Sequence, residues 1–250
     1  MTVENKLVLI TGISSGVGLS VAKYLLNQNF KVVGLARKSG IVEKNFKKNS
    51  NLHFYKIDLS NTSEVRNTIK KIRKKFIFIP HIINNAATLE KSDLNKIRLN
   101  DLEYSMKVNF YSSFLFIQKL IPEMIKNNFG RIINITSGAP LNCLPNFLAY
   151  SVSKSALNTL TITFANELKG SNVKINLMSP GPVKSNMNKD SKITPEICHN
   201  LISFLLNKKK NCPNGKFFWI NRELPLFPDL TGINWLRGEA DNTKFPIIKK

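Results

Sequence analysis

The sequence predicts one α/β domain built on a parallel, doubly wound sheet. Three observations predict it. Short apolar runs with strand character alternate with helical patterns along most of the 250 residues. A glycine-rich loop, Thr11-Gly-Ile-Ser-Ser-Gly-Val-Gly18, follows the first run and opens the first helix. The polar motifs able to carry chemistry fall at the carboxyl ends of the runs, where open sheets of this kind bind ligands.

Taken in order, Leu7-Val-Leu-Ile10 is a buried strand closing on Thr11-Gly12. Val17, Val21, Tyr24 and Leu25 share one face of a helix ending near Asn27. Lys31-Val-Val-Gly-Leu-Ala36 is the second strand and closes on Arg37-Lys38; Leu52-His-Phe-Tyr-Lys-Ile57 is the third and closes on Asp58-Leu59. Asn61 and Glu64 have the spacing of a capping box, and their helix should run to about Lys75. His81-Ile-Ile-Asn84, with Pro80 at its start, is the fourth strand and leads into Asn85-Ala86-Ala87. Asn100 to Asn127 is one long helix or two abutting ones, apolar at Phe110, Phe114, Ile117, Leu120 and Ile121. Arg131 to Thr136 is the fifth strand, followed by Ser137-Gly138 and a helix from about Tyr150 to Leu168. Val173 to Met178 is the sixth strand, before Ser179-Pro-Gly-Pro182. Thr194-Pro195-Glu196 opens a helix to about Leu206: a cap, a proline in the first turn, an acid near the positive end. Lys216 to Ile220 is the seventh strand.

No linker divides the chain, so residues 1–220 are expected to form the catalytic, dinucleotide-binding domain. Residues 221–250, with Pro225, Pro228, Trp235 and Pro246, are expected to be an irregular extension packed on it. A hydrophobic content of 42% supports a full core, and no run of 18 apolar residues suggests a membrane span. Met1 to Leu7 lacks the apolar centre of a secretory signal, so a cytoplasmic location is expected. Cys143, Cys198 and Cys212 are widely spaced and form no CxxC and no Cys/His cluster, which suggests neither disulfide framework nor metal site. The net charge of +21 comes from lysines along almost the whole chain, with short groups such as Lys70-Lys71 and Lys208-Lys210. Without a basic arm or a basic stretch interleaved with aromatics, it is taken as solvated surface, and no nucleic-acid partner is expected.

Two patterns carry the chemistry. Tyr150 and Lys154 are four residues apart and therefore share a helix face. An ammonium beside a phenol favours the phenolate, so the Tyr150 pKa is expected to fall from about 10 and make it a proton donor to a carbonyl oxygen. Gly12, Gly16 and Gly18 let the backbone approach a pyrophosphate and aim helix N–H groups at it, while Ser14 and Ser15 add hydroxyls.

Thr11-Gly-x-x-x-Gly-x-Gly18, Asn84-Asn-Ala86, Asn109, Ser137, Tyr150-x-x-x-Lys154 and Pro180-Gly181 together resemble the short-chain dehydrogenase/reductase family over about Lys6 to Ile220. Ser137 precedes Tyr150 by thirteen residues, the family's usual spacing. The resemblance implies a Rossmann-type sheet of about seven strands with helices on both faces, and a nicotinamide cofactor. It implies Tyr150 as general acid/base, and Lys154 as the residue that lowers its pKa and bonds the nicotinamide ribose. Ser137 would polarise the substrate carbonyl. Asn109 would bend a helix and hold a water that links Lys154 to solvent. Asp58 would face the adenine, with Leu59 counted among the cofactor residues beside it. Val17 of the glycine loop, Asn85, Ala86, Ala87, Pro180, Gly181 and Ser185 would line the cofactor, and Val183 would reach the carboxamide by its backbone. Ala87 stands where the family often has Gly, and Ser185 where it often has Thr. A homodimer or homotetramer built on the long helices is also implied.

The second strand ends in Arg37-Lys38, with no acid before Glu43. NAD sites of this type usually carry an acid about twenty residues after the glycine loop. Arg37 and Lys38 instead suit a 2′-phosphate, so NADP(H) is expected. The expected function is an NADP(H)-dependent carbonyl reductase or alcohol dehydrogenase acting on a small carbonyl or alcohol. One alternative is a 3-oxoacyl carrier-protein reductase, although Asn214-Gly-Lys-Phe-Phe-Trp-Ile220 and its thirty following residues replace the Val-Asn/Asp-Gly-Gly ending of many such enzymes. The other is a catalytically silent nucleotide-sensing or nucleic-acid-binding protein, which the intact Asn109, Ser137, Tyr150 and Lys154 set argues against.

Overall fold

The computed structural model describes residues 6–47, 49–207, 211–228, 233–234, 239–241 and 243–244. Strands β1 (Leu7–Thr11), β2 (Lys31–Ala36), β3 (Leu52–Lys56), β4 (His81–Asn84), β5 (Gly130–Ile135), β6 (Val173–Ser179) and β7 (Phe217–Trp219) run parallel. Across the sheet they lie in the order β3-β2-β1-β4-β5-β6-β7. The chain winds outward from β1 to β3, then crosses back to β4 and winds the other way. The direction therefore reverses between β1 and β4, the point where such sheets open a crevice for a dinucleotide.

Strand periodicity splits the core in two. Val8 and Ile10 of β1 join the apolar cluster that takes in α1 (Gly16–Asn27), α2 (Ser39–Phe46) and α7 (His199–Leu205). Leu7 and Leu9 join the opposite cluster, which takes in α3 (Thr62–Lys75) and α5 (Ser112–Lys126) and receives Ala165 of α6 (Leu148–Glu167). Asn61 caps α3 as its spacing predicts, its Oδ1 accepting from the Glu64 N–H at 3.0 Å. The stretch read as one helix or two contains α4 (Leu99–Met106) and α5 joined by a π-helical turn, Lys107–Tyr111, with Asn109 inside it. The bend implied at Asn109 is this turn.

Three elements depart from expectation. The helix α2 lacks a sequence signal because only Val42 and Phe46, one turn apart, are buried in it. The segment from Thr194 begins as a 3₁₀ turn, Pro195–Cys198, and becomes α-helical only at His199. The sheet has eight strands, not seven, since β8 (Arg222–Leu224) pairs antiparallel to β7 and so belongs to the sheet rather than to an irregular extension. The joint is Ile220-Asn221, with Ile220 at φ 55°, a left-handed conformation that a β-branched residue rarely takes. Hairpin turns of this length ordinarily advertise themselves with Gly or Asn-Gly, and here that signal is missing. The Ile220 N–H donates to Ser179 O at 2.9 Å, and Lys216 and Glu223 pair across the hairpin at 2.9 Å; these non-local contacts hold the turn. Farther along, β9 (Ile233–Asn234) and β10 (Glu239–Ala240) pair antiparallel. Trp235, Pro246 and the group Lys208-Lys210 lie outside the described residues.

The loop after β6 is fastened to α1. The Ser20 O–H donates to Glu196 Oε1 at 3.0 Å, and Ser20 Oγ stands 2.9 Å from His199 Nε2. With the hydroxyl proton spent on the carboxylate, His199 is the donor of that second bond. The His199 ring also stacks on Tyr24 at 4.2 Å. Both anchors are on the helix that the glycine loop opens. The two walls of the cleft are thereby tied together.

Candidate active site

At the carboxyl ends of the strands lies a cavity of about 860 Å³. It is at the upper end of the usual range for ligand pockets. Its floor is the glycine loop. Gly12 (φ 77°) and Gly16 (φ 54°) sit in the left-handed region, and a Cβ at Gly12 would come within 2.9 Å of Ala86 Cα. The Thr11 hydroxyl accepts from both the Asn85 and Ala86 N–H groups at 2.9 Å, and Asn85 Nδ2 donates to Thr11 O at 2.9 Å. The segment that follows β4 thus braces the end of β1 and the glycine loop. Helix α1 opens at Ser15 with no side-chain cap bond and no acid in its first turn, so its first N–H groups suit an anion.

Most of the residues singled out from sequence line this cavity: Gly12, Ser14, Ser15, Gly16 and Val17; Arg37, Lys38, Asp58 and Leu59; Asn85, Ala86 and Ala87; Ser137, Tyr150 and Lys154; Pro180, Gly181, Val183 and Ser185. Gly18 does not. A Cβ there would stand 2.3 Å from Gly12 O, so Gly18 serves close packing of the helix under the loop. Asn109 also stands behind the wall. Its Oδ1 accepts from the Thr88 N–H at 2.8 Å, and its Nδ2 donates to Thr88 O at 3.0 Å and Ser153 Oγ at 2.9 Å. Ser153 in turn donates to Tyr150 O at 2.7 Å, so Asn109 ties the loop after β4 to the turn of α6 that carries Tyr150. Two further expectations are qualified. Asn85 spends its amide on the loop, and the Val183 N–H is spent on Gly181 O at 2.9 Å.

At the β2 end, Arg37 Nη1 donates to the Tyr104 hydroxyl at 2.9 Å, which holds the exposed guanidinium beside the cavity. Asp58 keeps one oxygen engaged, since Oδ1 accepts from the Ser60 N–H and Oγ, both at 2.9 Å.

At the other end Tyr150 and Lys154 do share a face: Lys154 Nζ lies 5.8 Å from the Tyr150 ring centroid. The expected electrostatics fail. Burial raises the Tyr150 pKa above its ordinary value, outweighing the lowering effect of its hydrogen bond with Ser137. Burial also pulls Lys154 down to about 7, and its Nζ donates to Ile135 O at 2.7 Å. Desolvation disfavours both charged forms, so near neutral pH this pair is not a phenolate beside a full ammonium. Tyr150 therefore keeps its proton near neutral pH, and as a weaker acid than its spacing from Lys154 predicts. Ser137 Oγ also accepts from the Ala139 N–H at 3.1 Å, which orients it toward the same corner.

Sequence reading missed the bracing residues Thr11, Thr88 and Ser153, and the cavity residues Lys91, Phe147, Met187 and Trp219. The first three act through contacts across 21 to 75 positions. No local spacing could signal them.

The cavity thus joins a glycine loop and the start of a helix at one end to a phenol, a hydroxyl and a buried amine at the other. The model of the short chain dehydrogenase family matches residues 6–196, and the chain belongs to that family of oxidoreductases. It is 33% identical over 185 residues to the uncharacterized oxidoreductase YvrD of Bacillus subtilis (strain 168), covering 73% of this chain and 70% of that one. It is 29% identical over 242 residues to the 3-oxoacyl-[acyl-carrier-protein] reductase FabG of Buchnera aphidicola subsp. Schizaphis graminum, covering 88% and 98%. Among solved structures, 4-hydroxyisoleucine dehydrogenase complexed with NADH superposes with a TM-score of 0.81 at 24% identity, over 86% of this chain and 97% of that one. Among the described residues, no helix is long and apolar enough to cross a membrane, and no cluster of His, Cys, Asp or Glu could hold a metal.

Proposed function

We propose that the chain is an NADP(H)-dependent carbonyl reductase. The observation that carries the reading is the convergence of Ser137, Tyr150 and Lys154 on the cavity that the glycine loop floors. The nicotinamide supplies the hydride for the carbonyl carbon. The glycine loop and the start of α1 would hold the pyrophosphate, Asp58 and Leu59 the adenine end, and Lys154 the nicotinamide ribose. Ser137 polarises the carbonyl oxygen, and Tyr150 gives it a proton. Asn109 positions Tyr150 through Ser153 without touching substrate. A screen of aldehydes and ketones that follows NADPH absorbance tests this reading, and it falls if no carbonyl compound oxidises the cofactor.

Arg37 supports the choice of NADP(H), because it stands exposed at the β2 end in place of an acid. The 4-hydroxyisoleucine dehydrogenase that shares the fold is complexed with NADH, so the preference rests on Arg37 and not on the architecture. Charge-assisted bonds to a phosphate are worth about 1.5–3 kcal/mol each. Each 1.4 kcal/mol is about tenfold. NADPH should therefore be preferred over NADH by about tenfold or more in kcat/KM. Arg37→Asp should erase or reverse that ratio; equal values in the wild type would remove Arg37 from the site.

The FabG relative supports a second reading, a 3-oxoacyl carrier-protein reductase. The β7–β8 hairpin and the residues beyond it speak against it, since they replace the family's usual short ending. We also propose a homodimer or larger assembly in the cytoplasm. Phe110 and Phe114 stack at 6.5 Å, and Tyr111 and Val152 are exposed on the π turn and α6. Light scattering at micromolar concentration should give at least twice the 28.3 kDa chain mass; a monomer refutes it.

A further inference from the structure

The cavity does not end at Tyr150. Its lining also takes in Leu89, Leu144, Phe147, Met187 and Trp219, with Lys91 and the amides of Asn142, Asn186 and Asn188 among them. Leu144, Met187 and Trp219 are each about two-fifths exposed, so this end opens to solvent.

The charge at this end is one-sided. Among the described residues, Asp58 is the only carboxylate that lines the cavity, and it stands at the β3 end with an oxygen engaged by Ser60. Glu90, next to Lys91 in the chain, accepts from the Thr88 hydroxyl at 3.1 Å and does not line the cavity. Among the described residues Lys91 makes no ion pair within 4.0 Å. Its amine instead rests over the face of Phe147, 5.1 Å from the ring centroid. Such a contact holds an ammonium in place without neutralising it. Phe147 meets Tyr150 edge-on, with ring centroids 6.4 Å apart and planes at 69°. The Phe147 ring therefore touches both the proton donor and an amine that has no ion-pair partner among the described residues.

We infer that the enzyme's substrates are carbonyl acids: an apolar or aromatic body with a carboxylate at the end away from the reacting carbonyl, read by Lys91. The inference rests on the reductase reading above. Phe147 and Leu144 take the body, Ser137 and Tyr150 the carbonyl oxygen, and Lys91 the acid. A single amine with one charge matches a monoanion.

The test uses matched pairs that differ only in charge, 4-carboxybenzaldehyde and its methyl ester first, then keto acids and their methyl esters with bodies of similar length, all followed with NADPH. The wild type should favour the acids by about five- to tenfold, the worth of one partly shielded charge contact. Lys91→Met should raise KM for the acids by that factor with kcat unchanged, because the lost contact is as strong in the ground state as in the transition state. KM for the esters should move much less, and Lys91→Arg should keep the preference for acids. Esters turned over as well as acids by the wild type would overturn the inference and leave the reductase reading standing. Equal effects of Lys91→Met on acids and esters would also overturn it, reducing Lys91 to a structural prop of Phe147. If no member of any pair oxidises NADPH, the reductase reading itself falls and takes the inference with it.

Discussion

Replacing Tyr150 with phenylalanine is expected to cut turnover by about 10²–10⁴ while leaving cofactor affinity nearly unchanged. The substitution removes one oxygen and its proton. The ring remains, edge-on to Phe147 and shielded by the cavity walls, so packing is conserved. What goes is the phenolic proton that the proposed reaction gives to the carbonyl oxygen. Burial holds the Tyr150 pKa above its ordinary value, so the wild-type phenol is protonated throughout the neutral range and ready to donate. Ser137 can still polarise the carbonyl, which accounts for residual activity rather than none. Steady-state kcat with a responsive aldehyde and a fluorescence titration of NADPH binding, run on both proteins, separate the two effects. A variant that turns over at near the wild-type rate would mean that the proton comes from elsewhere, and Tyr150 would lose its role.

The sequence exposed the site's chemistry better than its mechanics. Gly12, Gly16, Tyr150 and Lys154 were legible because each role is set by residue type at short range: no Cβ where the backbone must turn, a phenol and an amine one helical turn apart; Ser137 came through a resemblance. The braces were not legible. Thr11 is an ordinary strand-end threonine until Asn85 and Ala86 arrive from another strand to use its hydroxyl. Asn109 was found through a resemblance; its work on Thr88 and Ser153 appears only once three segments meet. The hairpin at Ile220 had no turn residue to announce it. Gly18 was assigned to the cofactor by its place in a motif, yet its missing side chain makes room for Gly12 O.

The same limit explains the wrong sign for Tyr150. Helical spacing gives proximity, and proximity to an ammonium argues for a lowered phenol pKa. Burial, which spacing does not report, acts on both partners. Lys154 is 2% exposed, and its ordinary charge is the first casualty. The pair therefore works as a proton holder beside an amine that titrates near neutrality.

That assignment makes Lys154→Met an unusual variant: less active, yet more stable at neutral pH. Loss of activity follows from position, since Lys154 lines the cavity beside Tyr150 and is the residue expected to hold the nicotinamide ribose, so both cofactor affinity and rate should fall. The stability effect follows from linkage. Folded Lys154 titrates at about 7, against about 10.4 for a lysine in the unfolded chain. Between those values the unfolded chain binds a proton that the folded chain does not. Wild-type stability from this group therefore climbs as pH rises from about 7 toward 10, and the full penalty is present below 7. Methionine fills much the same space and carries no charge, so its variant lacks that dependence; every other titrating group is common to both proteins and cancels in the comparison. The gap in unfolding free energy, Met variant over wild type, should narrow by about 1.4 kcal/mol per pH unit between about 7.5 and 9.5. The lost bond from Nζ to Ile135 O offsets part of the gap at every pH without changing its slope. Urea unfolding of both proteins at pH 7.5, 8.5 and 9.5 reads the slope directly. Parallel curves would mean that Lys154 keeps its charge when folded, and the expectation of a lowered Tyr150 pKa would then be restored.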